Sequence, residues 1–424
     1  MTVHVQAAGL DLAALLRPGD RIVMGQGSAE PTTLVEALLA QAGTIPGLSL
    51  FTATSFSGLL TVEAARRVRL LSMGVIGALR PVAAAGLLGI IPCHVSQIGA
   101  MIRRGVLGCD VAFVQVSPAD AQGNHSLGLA SDYLHDAVRA ARLVVAEVNE
   151  ATPFTLGDTL LPASAIHVAV HVARTPVMVP PAPATPVDEA IAGHVAAFIG
   201  DGAVIQSGIG AAPEAVLRRI TDRRDLGVHT GMAGDGLVDL AESGALTNAR
   251  KEIDRGVSVT GLLFGTERLF RFAHRNPALA MRASDYTHGA ATLGRLSRLV
   301  TINSALEVDL TGQVNAEQSG EAYLGGTGGQ VDFVRAGARA PDGRAILALP
   351  STAQGGRLSR IRAQLSGPVT TARSEVDTIV TEHGAAELKG LTLAERARRL
   401  VAIADPRFRE ELDRAAHAIA RRGF

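Results

Sequence analysis

Short runs of β-branched and aliphatic residues alternate with longer alanine- and leucine-rich segments along most of this chain. In the first half, the predicted helices include residues 33–41 and 132–142, and the predicted strands between them are residues 21–24, 48–52, 111–116 and 143–148. The second half repeats the pattern, with predicted strands at residues 203–206, 259–263, 299–302, 345–349 and 378–381. Strands that alternate with helices favour a mostly parallel sheet with helices packed on it, so we predict an α/β fold.

A proline-rich segment divides the chain into two halves. Four prolines fall within the seven residues 180–186, and Pro176 precedes them. Prolines at this density favour an extended connection over a helix. A chain of 424 residues is long enough for two domains, each with its own core. We therefore predict an N-terminal α/β domain at residues 1–180 and a C-terminal α/β domain at residues 187–424.

The two halves share a sequence pattern at one strand-to-helix connection. In the first half a strand leads through residues 25–27 to Pro31 and a helix, and in the second half a strand leads through residues 208–210 to Pro213 and a helix. Each turn has the pattern Gly-x-Gly, and proline is well tolerated where a helix begins. The match favours two open domains related by duplication, with ligand loops at the carboxyl ends of strands.

The C-terminal end of the second half has the pattern of a helical tail. Thr392 and Glu395 have the spacing of a capping box, and Asp405-Pro406 predicts the start of a further helix. Apolar residues then recur at helical spacing, at Phe408, Leu412, Ala415 and Ile419. We interpret this tail as structural packing.

The composition argues against several classes of partner. Lys+Arg and Asp+Glu both total 40, and the chain has no tryptophan and three tyrosines. A balanced charge and few large aromatic rings give no reason to expect nucleic acid or a membrane as a partner. Cys93 and Cys109 show neither a disulfide framework nor a metal spacing, which favours a reducing cytoplasm. The start of the chain lacks the pattern of an export signal.

Several catalytic signatures are missing from the sequence. There is no P-loop and no Gly-x-Ser-x-Gly elbow, and residues 208–210 lack the third glycine of a dinucleotide fingerprint. His167 and His171 are four residues apart in a segment with a strand pattern, which places them on one face but well separated. We therefore expect no metal site.

Two glycine-rich stretches have the composition of ligand loops. Residues 206–213 place glycines between a strand and a helix, where N–H groups can approach an anion, although a plain turn uses the same residues. Residues 323–333 contain four glycines within five residues, which is costly in chain entropy. Their apolar flanks favour close backbone contact with a ligand, such as a thioester oxygen or a pantetheine arm, over a flexible linker.

A third stretch, residues 303–317, is rich in polar side chains. Its pattern predicts a hairpin around Thr311-Gly312, and its polar residues can line a cleft. Asp309 and Asn315 can equally serve to satisfy the backbone of the turns. Both interpretations stay open at this point.

Together these stretches resemble the acetyl-CoA hydrolase/transferase family, which includes the 4-hydroxybutyrate CoA-transferases and belongs with the class I CoA-transferases. In the N-terminal half the resemblance rests on residues 115–128 and on Ala146-Glu-Val-Asn149. In the C-terminal half it rests on residues 208–211, 226–230, 235–240, 247–251, 303–313 and 325–333. These blocks follow one another in the family's order and cover nearly the whole chain.

The resemblance implies two open α/β domains of the type shared with sugar-phosphate isomerases, with coenzyme A bound mainly by the second. It implies acyl-CoA as a substrate in acetate and related metabolism, a small carboxylate as acceptor, no covalently bound cofactor, and a homo-oligomer. The positions that it implies for binding coenzyme A are Gly208, Ile209, Gly210, Ala211, Ala212, Gly325, Gly326, Thr327, Gly328, Gly329 and Gln330.

The family also implies a covalent mechanism. A glutamate carboxylate attacks the thioester, forms a mixed anhydride and then a glutamyl-CoA thioester, and passes CoA to a carboxylate, while amides of a glycine loop stabilise the oxyanion. That glutamate belongs to a His-Ser/Thr-Glu sequence just before an Asp-Gly pair. Here the sequence is His229-Thr-Gly-Met-Ala-Gly-Asp-Gly236, so Gly231 stands at the position of the nucleophile.

Three explanations of this substitution are open. Another carboxylate can replace the glutamate, and the candidates are Glu307, Glu317 and Asp235. Water or a second substrate can attack the thioester directly, which we favour because the rest of the CoA site is retained. Finally, the protein can bind CoA esters without turnover, for example as a partner subunit. A sugar-phosphate isomerase is a further alternative, by analogy of fold alone.

Overall fold

A computed structural model describes residues 2–208 and 210–422 of the chain. Its contacts divide the chain into two compact units. The first unit comprises Met1–Pro180, Gly231–Asp235 and Ser258–Gly289, and the second comprises Pro181–Thr230, Gly236–Val257 and Ala290–Phe424. The units therefore alternate along the chain, unlike the continuous ranges 1–180 and 187–424 of the sequence prediction. The reason is strand pairing, because Ser258–Thr260 and Leu279–Met281 form one sheet with Leu156–Gly157.

The first unit is built on a sheet of eight strands, β1 to β8. In chain order they are Val3–Gln6, Arg21–Met24, Ser49–Phe51, Arg69–Ser72, Leu88–Ile90, Val111–Val116, Leu143–Asn149 and Val168–Val172. The spatial order is β1-β8-β7-β6-β2-β3-β4-β5, and every neighbouring pair is parallel. Every residue of β6 and β7 is buried, as expected for central strands covered on both faces.

The first unit also contains helices and short strands outside this sheet. The helices of the first unit are Leu12–Leu15, Thr32–Gln41, Val62–Arg67, Arg80–Ala84, Val95–Arg103, Leu134–Ala140, Glu267–Ala273 and Ser284–Thr287. Besides the three-stranded sheet named above, its short strand pairs are Asn124–Ser126 with Leu160–Pro162 and Met232–Ala233 with Leu262–Leu263. The predicted helix 132–142 begins only at Leu134, because Asp132 has a φ of +20°. The predicted strand 259–263 is interrupted at Gly261.

The second unit contains a sheet of six strands, β9 to β14. In chain order they are Val204–Ser207, Gly227–Val228, Leu299–Ser304, Arg344–Ala348, Thr378–Thr381 and Gly384–Glu387. The spatial order is β10-β9-β11-β12-β13-β14. All pairs are parallel except β13 and β14, which form a hairpin. The prediction of an α/β fold with mostly parallel sheets is confirmed.

Helices cover both faces of the second sheet. Ile346 and Val380 pack with the helix Pro186–Ala196, whereas Leu347 and Ile379 pack with the helical tail. Successive residues of a strand point to opposite faces, so two separate core clusters form. The helices of this unit are Pro186–Ala196, Ala211–Arg219, Gly236–Glu242, Ala290–Leu293, Gln330–Arg339, Leu393–Ala402 and Arg409–Arg422, and its remaining strands are Glu307–Asp309, Val314–Asn315, Gln318–Ser319, Ala322–Tyr323, Thr352–Ala353, Leu358–Ser359 and Ile361–Arg362.

The predicted tail is confirmed. Thr392 and Glu395 form a reciprocal capping box at the start of Leu393–Ala402. The Asp405 side chain accepts a hydrogen bond from the amide of Arg407, and the chain continues into Arg409–Arg422. Leu412 and Ile419 are buried in the core, with Phe408 and Ala415 packed against it. The tail is a packing element of the second unit.

The two halves of the chain do share the predicted local pattern. β2 runs through residues 25–27 to the helix Thr32–Gln41, and β9 runs towards the helix Ala211–Arg219. Both strands belong to parallel sheets, so both glycine turns lie at carboxyl ends of strands. An origin by duplication stays a prediction.

Candidate active site

Polar residues stand at the ends of β9 and β11 and directly after the neighbouring strand β10. Because β10, β9 and β11 are parallel, their carboxyl ends meet at one edge of the sheet, which is where open α/β sheets bind ligands. The buried amides of Gln206 on β9 and Asn303 on β11 bind each other reciprocally, at 3.0 and 3.3 Å. The Thr230 hydroxyl donates to the carbonyl of Ser207 at 3.1 Å. These contacts fix the three strand ends to one another.

The loop after β9 approaches its neighbours closely. The amide of Gly208 donates to the carbonyl of Ile302 at 2.8 Å. Gly210 has a φ of +123°, a conformation that side chains disfavour, and it precedes the helix Ala211–Arg219 without a side-chain cap. An uncapped helix start leaves N–H groups available for an anion. Ile209, also predicted to bind coenzyme A, lies outside the described residues.

The glycine loop, here Gly325, Gly326, Thr327, Gly328 and Gly329, is half-buried and leads into the helix Gln330–Arg339. A Cβ atom on Gly325 would lie 2.1 Å from the carbonyl oxygen of Ala316, so this position requires glycine. Gly328 has a φ of +57°, and Gly329 provides no side-chain cap for the helix. The loop is therefore a closely packed turn at a helix N-terminus, not a linker.

Gln330 secures the far end of this loop. Its side chain is buried, donates to the carbonyl of Ser304 at 2.7 Å and accepts from the Thr371 hydroxyl at 2.8 Å. The helix start is thereby tied to the end of β11.

Glu317, the first of three candidate substitute nucleophiles, is buried beside the glycine loop. Its carboxylate accepts hydrogen bonds from the hydroxyls of Tyr323 at 2.6 Å and Thr370 at 2.7 Å. Its carbonyl oxygen accepts from the amides of Leu324 and Gly325. Burial, together with the adjacent carboxylate, raises the pKa of the Tyr323 phenol, which therefore stays a donor at neutral pH.

Glu307, the second candidate, is bound by more donors. It accepts from the amide and hydroxyl of Ser366 and from the side-chain amide of Asn315, at 2.7 to 3.0 Å. The guanidinium of Arg362 lies 3.6 Å from the same carboxylate. Glu307 is therefore held in place from several sides.

The polar stretch 303–317 contains the predicted hairpin around Thr311-Gly312. The strands Glu307–Asp309 and Val314–Asn315 are antiparallel. Asp309 accepts from the amides of Thr311 and Gln313, and Asn315 accepts from the amides of Glu317 and Gln318. Both side chains satisfy turn backbones, as one of the two interpretations expects.

Gly231 and Asp235 belong to the first unit. Gly231 is half-buried, and its carbonyl oxygen accepts from the amide of Gly261 at 3.1 Å. Asp235, the third candidate nucleophile, accepts from the hydroxyl of Thr266 at 2.7 Å and from its amide at 3.1 Å. Because Thr266 caps the helix Glu267–Ala273, Asp235 supports the start of that helix.

The sequence analysis did not single out Asp132, which is one of several buried carboxyl groups in the first unit. Asp132 is 4% exposed, accepts from the side-chain amide of Gln26 at 2.7 Å, and burial raises its pKa to about 6. Its own amide donates to the carbonyl of Gly261, whose amide in turn donates to Gly231. The available signal was Gln26, which lies inside the first glycine turn.

The described parts of the chain, residues 2–208 and 210–422, contain no cluster of three or more His, Cys, Asp or Glu side chains able to hold a metal ion. His167 accepts from the amide of Val144, and His171 contacts the ring of His4 at 2.9 Å. In the same parts of the chain, every helix is too short or too polar to cross a membrane.

Comparisons with known proteins show which family the chain resembles. The acetyl-CoA hydrolase/transferase N-terminal domain matches residues 7–181, and the acetyl-CoA hydrolase/transferase C-terminal domain matches residues 265–416. The 4-hydroxybutyrate coenzyme A transferase of Clostridium kluyveri is 38% identical over 396 residues, which cover 92% of each chain. The succinyl-CoA:cyclohexane-1-carboxylate CoA transferase of Geobacter metallireducens is 33% identical over 97% of this chain and 95% of its own.

A solved structure is similar over nearly the whole chain. RipA from Yersinia pestis superposes with a TM-score of 0.92 at 34% identity, over 99% of this chain and 98% of RipA. Both family domains are matched in order, and they occupy most of the sequence. The chain therefore belongs to the acetyl-CoA hydrolase/transferase family, whose members act on acyl-CoA thioesters.

Proposed function

We propose that this protein binds an acyl-CoA and promotes direct attack on the thioester by water or by a second substrate. The observation that carries the proposal is the glycine loop. It is half-buried, it requires glycine at position 325, and it opens the helix Gln330–Arg339 without a side-chain cap. A loop of this kind presents N–H groups to a ligand oxygen, and a helix N-terminus favours negative charge there.

The loop has the role of polarising the thioester carbonyl. As a nucleophile adds, negative charge develops on the carbonyl oxygen, and preorganised N–H donors stabilise that charge. The loop at residues 208–212 contributes to holding coenzyme A, because it also ends at an uncapped helix. Both loops belong to the second unit.

Gly231 determines which nucleophile is available. Glycine has no side-chain carboxylate, so position 231 cannot form an acyl anhydride. The alternatives are already engaged: Glu317 by two hydroxyls, Glu307 by Ser366 and Asn315, and Asp235 by Thr266. Carboxylates bound in this way are held by their structural partners, and their lone pairs are less free to attack.

Direct attack by water gives a balanced reaction. The water oxygen bonds to the thioester carbon, the carbon–sulfur bond breaks, and the sulfur leaves as a thiolate. One proton of the water passes to the thiolate, and the products are a carboxylic acid and free coenzyme A. In a transfer, a small carboxylate takes the place of water: its oxygen bonds to the thioester carbon and the thiolate leaves, which gives a mixed anhydride. The thiolate then attacks the acceptor's carbonyl carbon in that anhydride, which gives the new CoA thioester and releases the original acyl group as a carboxylate. Coenzyme A is then a substrate, and no cofactor needs to be covalently attached.

Self-association and a cytoplasmic location complete the proposal. Both come from the sequence, the first through the resemblance and the second through the two free cysteines, Cys93 and Cys109. Gel filtration with light scattering tests self-association, and cell fractionation tests location.

The decisive experiment measures free thiol released from a panel of acyl-CoAs, with and without small carboxylates. Release without a covalent enzyme adduct supports direct attack. Mass spectrometry after incubation with acyl-CoA and borohydride detects an adduct, and one on Glu307, Glu317 or Asp235 would replace direct attack by covalent transfer. Tight CoA-ester binding by calorimetry without any release would instead identify a non-catalytic binding protein.

A further inference from the structure

One edge of the strand β10 faces side chains instead of a further strand. Among the residues that the structure describes, β10 is the outermost strand of the second sheet and has β9 as its one strand partner. On the paired side, the amides of Gly227 and His229 donate to carbonyls of the β9 segment. In a parallel pair, the residue between them, Val228, directs its own N–H and C=O the other way. Those two groups need partners from outside the sheet.

Asn248 and Lys251 supply these partners. The Asn248 Oδ1 atom accepts from the amide of Val228 at 2.9 Å, and the Lys251 ammonium donates to the carbonyl of Val228 at 3.0 Å. One residue earlier, the carbonyl of Leu226 accepts from the amides of Thr247 and Asn248. The segment 247–251 thus lies along β10 in place of a further strand.

Lys251 is fully buried, which is unusual for a lysine. Its alkyl chain fills the space beside Gly227, where a Cβ atom would lie 2.8 Å from Lys251 Cγ. Its ammonium also donates to the carbonyl of Val257 at 2.7 Å. A buried charge persists only where polar groups bind it, and here main-chain oxygens do so.

The two carbonyls, those of Val228 and Val257, lie near points where the chain passes from the second unit to the first. The chain leaves the second unit and enters the first between Thr230 and Gly231, and it does so again between Val257 and Ser258. Val228 is two residues before the first of these points, and Val257 is directly at the second. The buried Lys251 ammonium therefore binds both segments through which the chain leaves the second unit.

We infer that Asn248 and Lys251 are positioning residues, which fix Val228 and thereby the segment His229-Thr230-Gly231 that follows it. The inference rests on the proposed function in one respect, namely that position 231 marks the reacting region. Neither side chain needs to touch the substrate. Their loss should therefore reduce turnover more strongly than the affinity for acyl-CoA, because the glycine loop is on another segment.

The test compares four variants of the full-length protein. Lys251→Met keeps the chain length without the donors, and Asn248→Ala removes one acceptor. Asn248→Asp retains the acceptor oxygen as a conservative rescue. Arg250→Ala is the matched control, because Arg250 lies in the same segment but pairs with Asp225 near the surface. We measure kcat, the Kd for acyl-CoA, and hydrogen exchange of a peptide covering residues 226–231.

We expect faster exchange in this peptide for Lys251→Met and Asn248→Ala, and wild-type exchange for Asn248→Asp and Arg250→Ala. The kcat should fall about tenfold to 100-fold in the first two variants, since a small misplacement suffices for such a loss. If Lys251→Met does not fold, the exchange and kcat of Asn248→Ala alone test the inference. Unchanged exchange in folded Asn248→Ala overturns the inference, as does faster exchange with unchanged kcat. A wild-type protein without turnover refutes the proposed function instead, and the exchange data still decide on positioning.

Discussion

The carbonyl oxygen of Glu317 accepts a 3.0 Å hydrogen bond from the amide of Gly325, the first residue of the glycine loop. The amide of Leu324 donates to the same oxygen at 2.8 Å, and the hydroxyl of Tyr323 donates to the Glu317 carboxylate. Backbone and side chain of Glu317 therefore hold the segment that enters the loop. This arrangement supports an anchoring role for a residue that the sequence offered as a substitute nucleophile.

Glu317→Gln separates these two roles. Glutamine keeps the backbone carbonyl and one side-chain oxygen that can accept from Tyr323 or Thr370, but it cannot act as a carboxylate nucleophile. If Glu317 is an anchor, the rate of thiol release should stay within about threefold of wild type, whereas loss of a covalent nucleophile typically costs more than about 1000-fold. Steady-state thiol release measures the difference.

Gly325→Ala should weaken acyl-CoA binding. The added methyl group would lie 2.1 Å from the carbonyl of Ala316, so the loop must shift, and its N–H donors shift with it. We expect a rise in Kd of about tenfold or more, the effect of losing about 1.4 kcal/mol. The control is Gly200→Ala, where the methyl group meets no atom within 4 Å. Equal Kd values for both variants in calorimetry would remove the loop from the CoA site.

Gly231→Glu should introduce or increase CoA transfer between carboxylates. The new carboxylate would stand at the position that the resemblance assigns to the nucleophile, and a glutamyl-CoA thioester should then form on it during turnover. Mass spectrometry after borohydride reduction detects the adduct at residue 231. Gly231→Gln is the matched control, since its amide has the same size but cannot form the anhydride. A folded Gly231→Glu protein that binds CoA without any gain would show that other parts of the site have diverged.

Lys251 should make the stability of the protein depend on alkaline pH. Burial lowers its pKa from 10.5 to about 8, so the folded protein releases this proton at lower pH than the unfolded chain. Between about pH 8 and 10.5 the unfolded state therefore binds more protons than the folded state, so the free energy of unfolding increases as the pH rises. Relative to Lys251→Met, the wild-type free energy of unfolding should rise from about pH 8 to 10.5 and stay level below about pH 7. Urea titrations of both proteins across this range test the difference.

Asp132 should have the opposite signature in acid. Burial raises its pKa from 3.8 to about 6, so the folded protein holds a proton that the unfolded chain has already released. Stability therefore falls as the pH rises through this interval. Relative to Asp132→Asn, which keeps an acceptor for Gln26, the wild-type free energy of unfolding should decrease between about pH 4 and 6. A level difference would mean that Asp132 is ionised in the folded state throughout.

Local sequence patterns predicted much of the fold. The strands at residues 21–24, 111–116 and 378–381 have the predicted bounds, because β-branched runs and flanking turns are local signals. The hairpin at Thr311-Gly312 and the capping box of Thr392 are local as well. The glycine loop was evident for the same reason, since four glycines in five residues need no tertiary information.

The remaining features depend on contacts between distant parts of the chain. Glu307 is bound by Ser366, which lies 59 residues further along the chain. No local pattern around Glu307 predicts this contact. Lys251 looks like a surface lysine in the sequence, and Asp132 like the first residue of the predicted helix 132–142. Both are buried only because segments far apart in sequence close over them.

The alternation of the two units along the chain also constrains how the protein is made. Leu156–Gly157 finds its strand partner in Leu279–Met281, and the first unit ends only at Gly289. A ribosome that has synthesised the first 180 residues has therefore not yet supplied all of that unit. Its high contact order delays completion until much of the second unit has emerged, so the usual domain-by-domain order of folding during synthesis does not apply. Truncation at the proline-rich segment should accordingly yield an incomplete, aggregation-prone fragment.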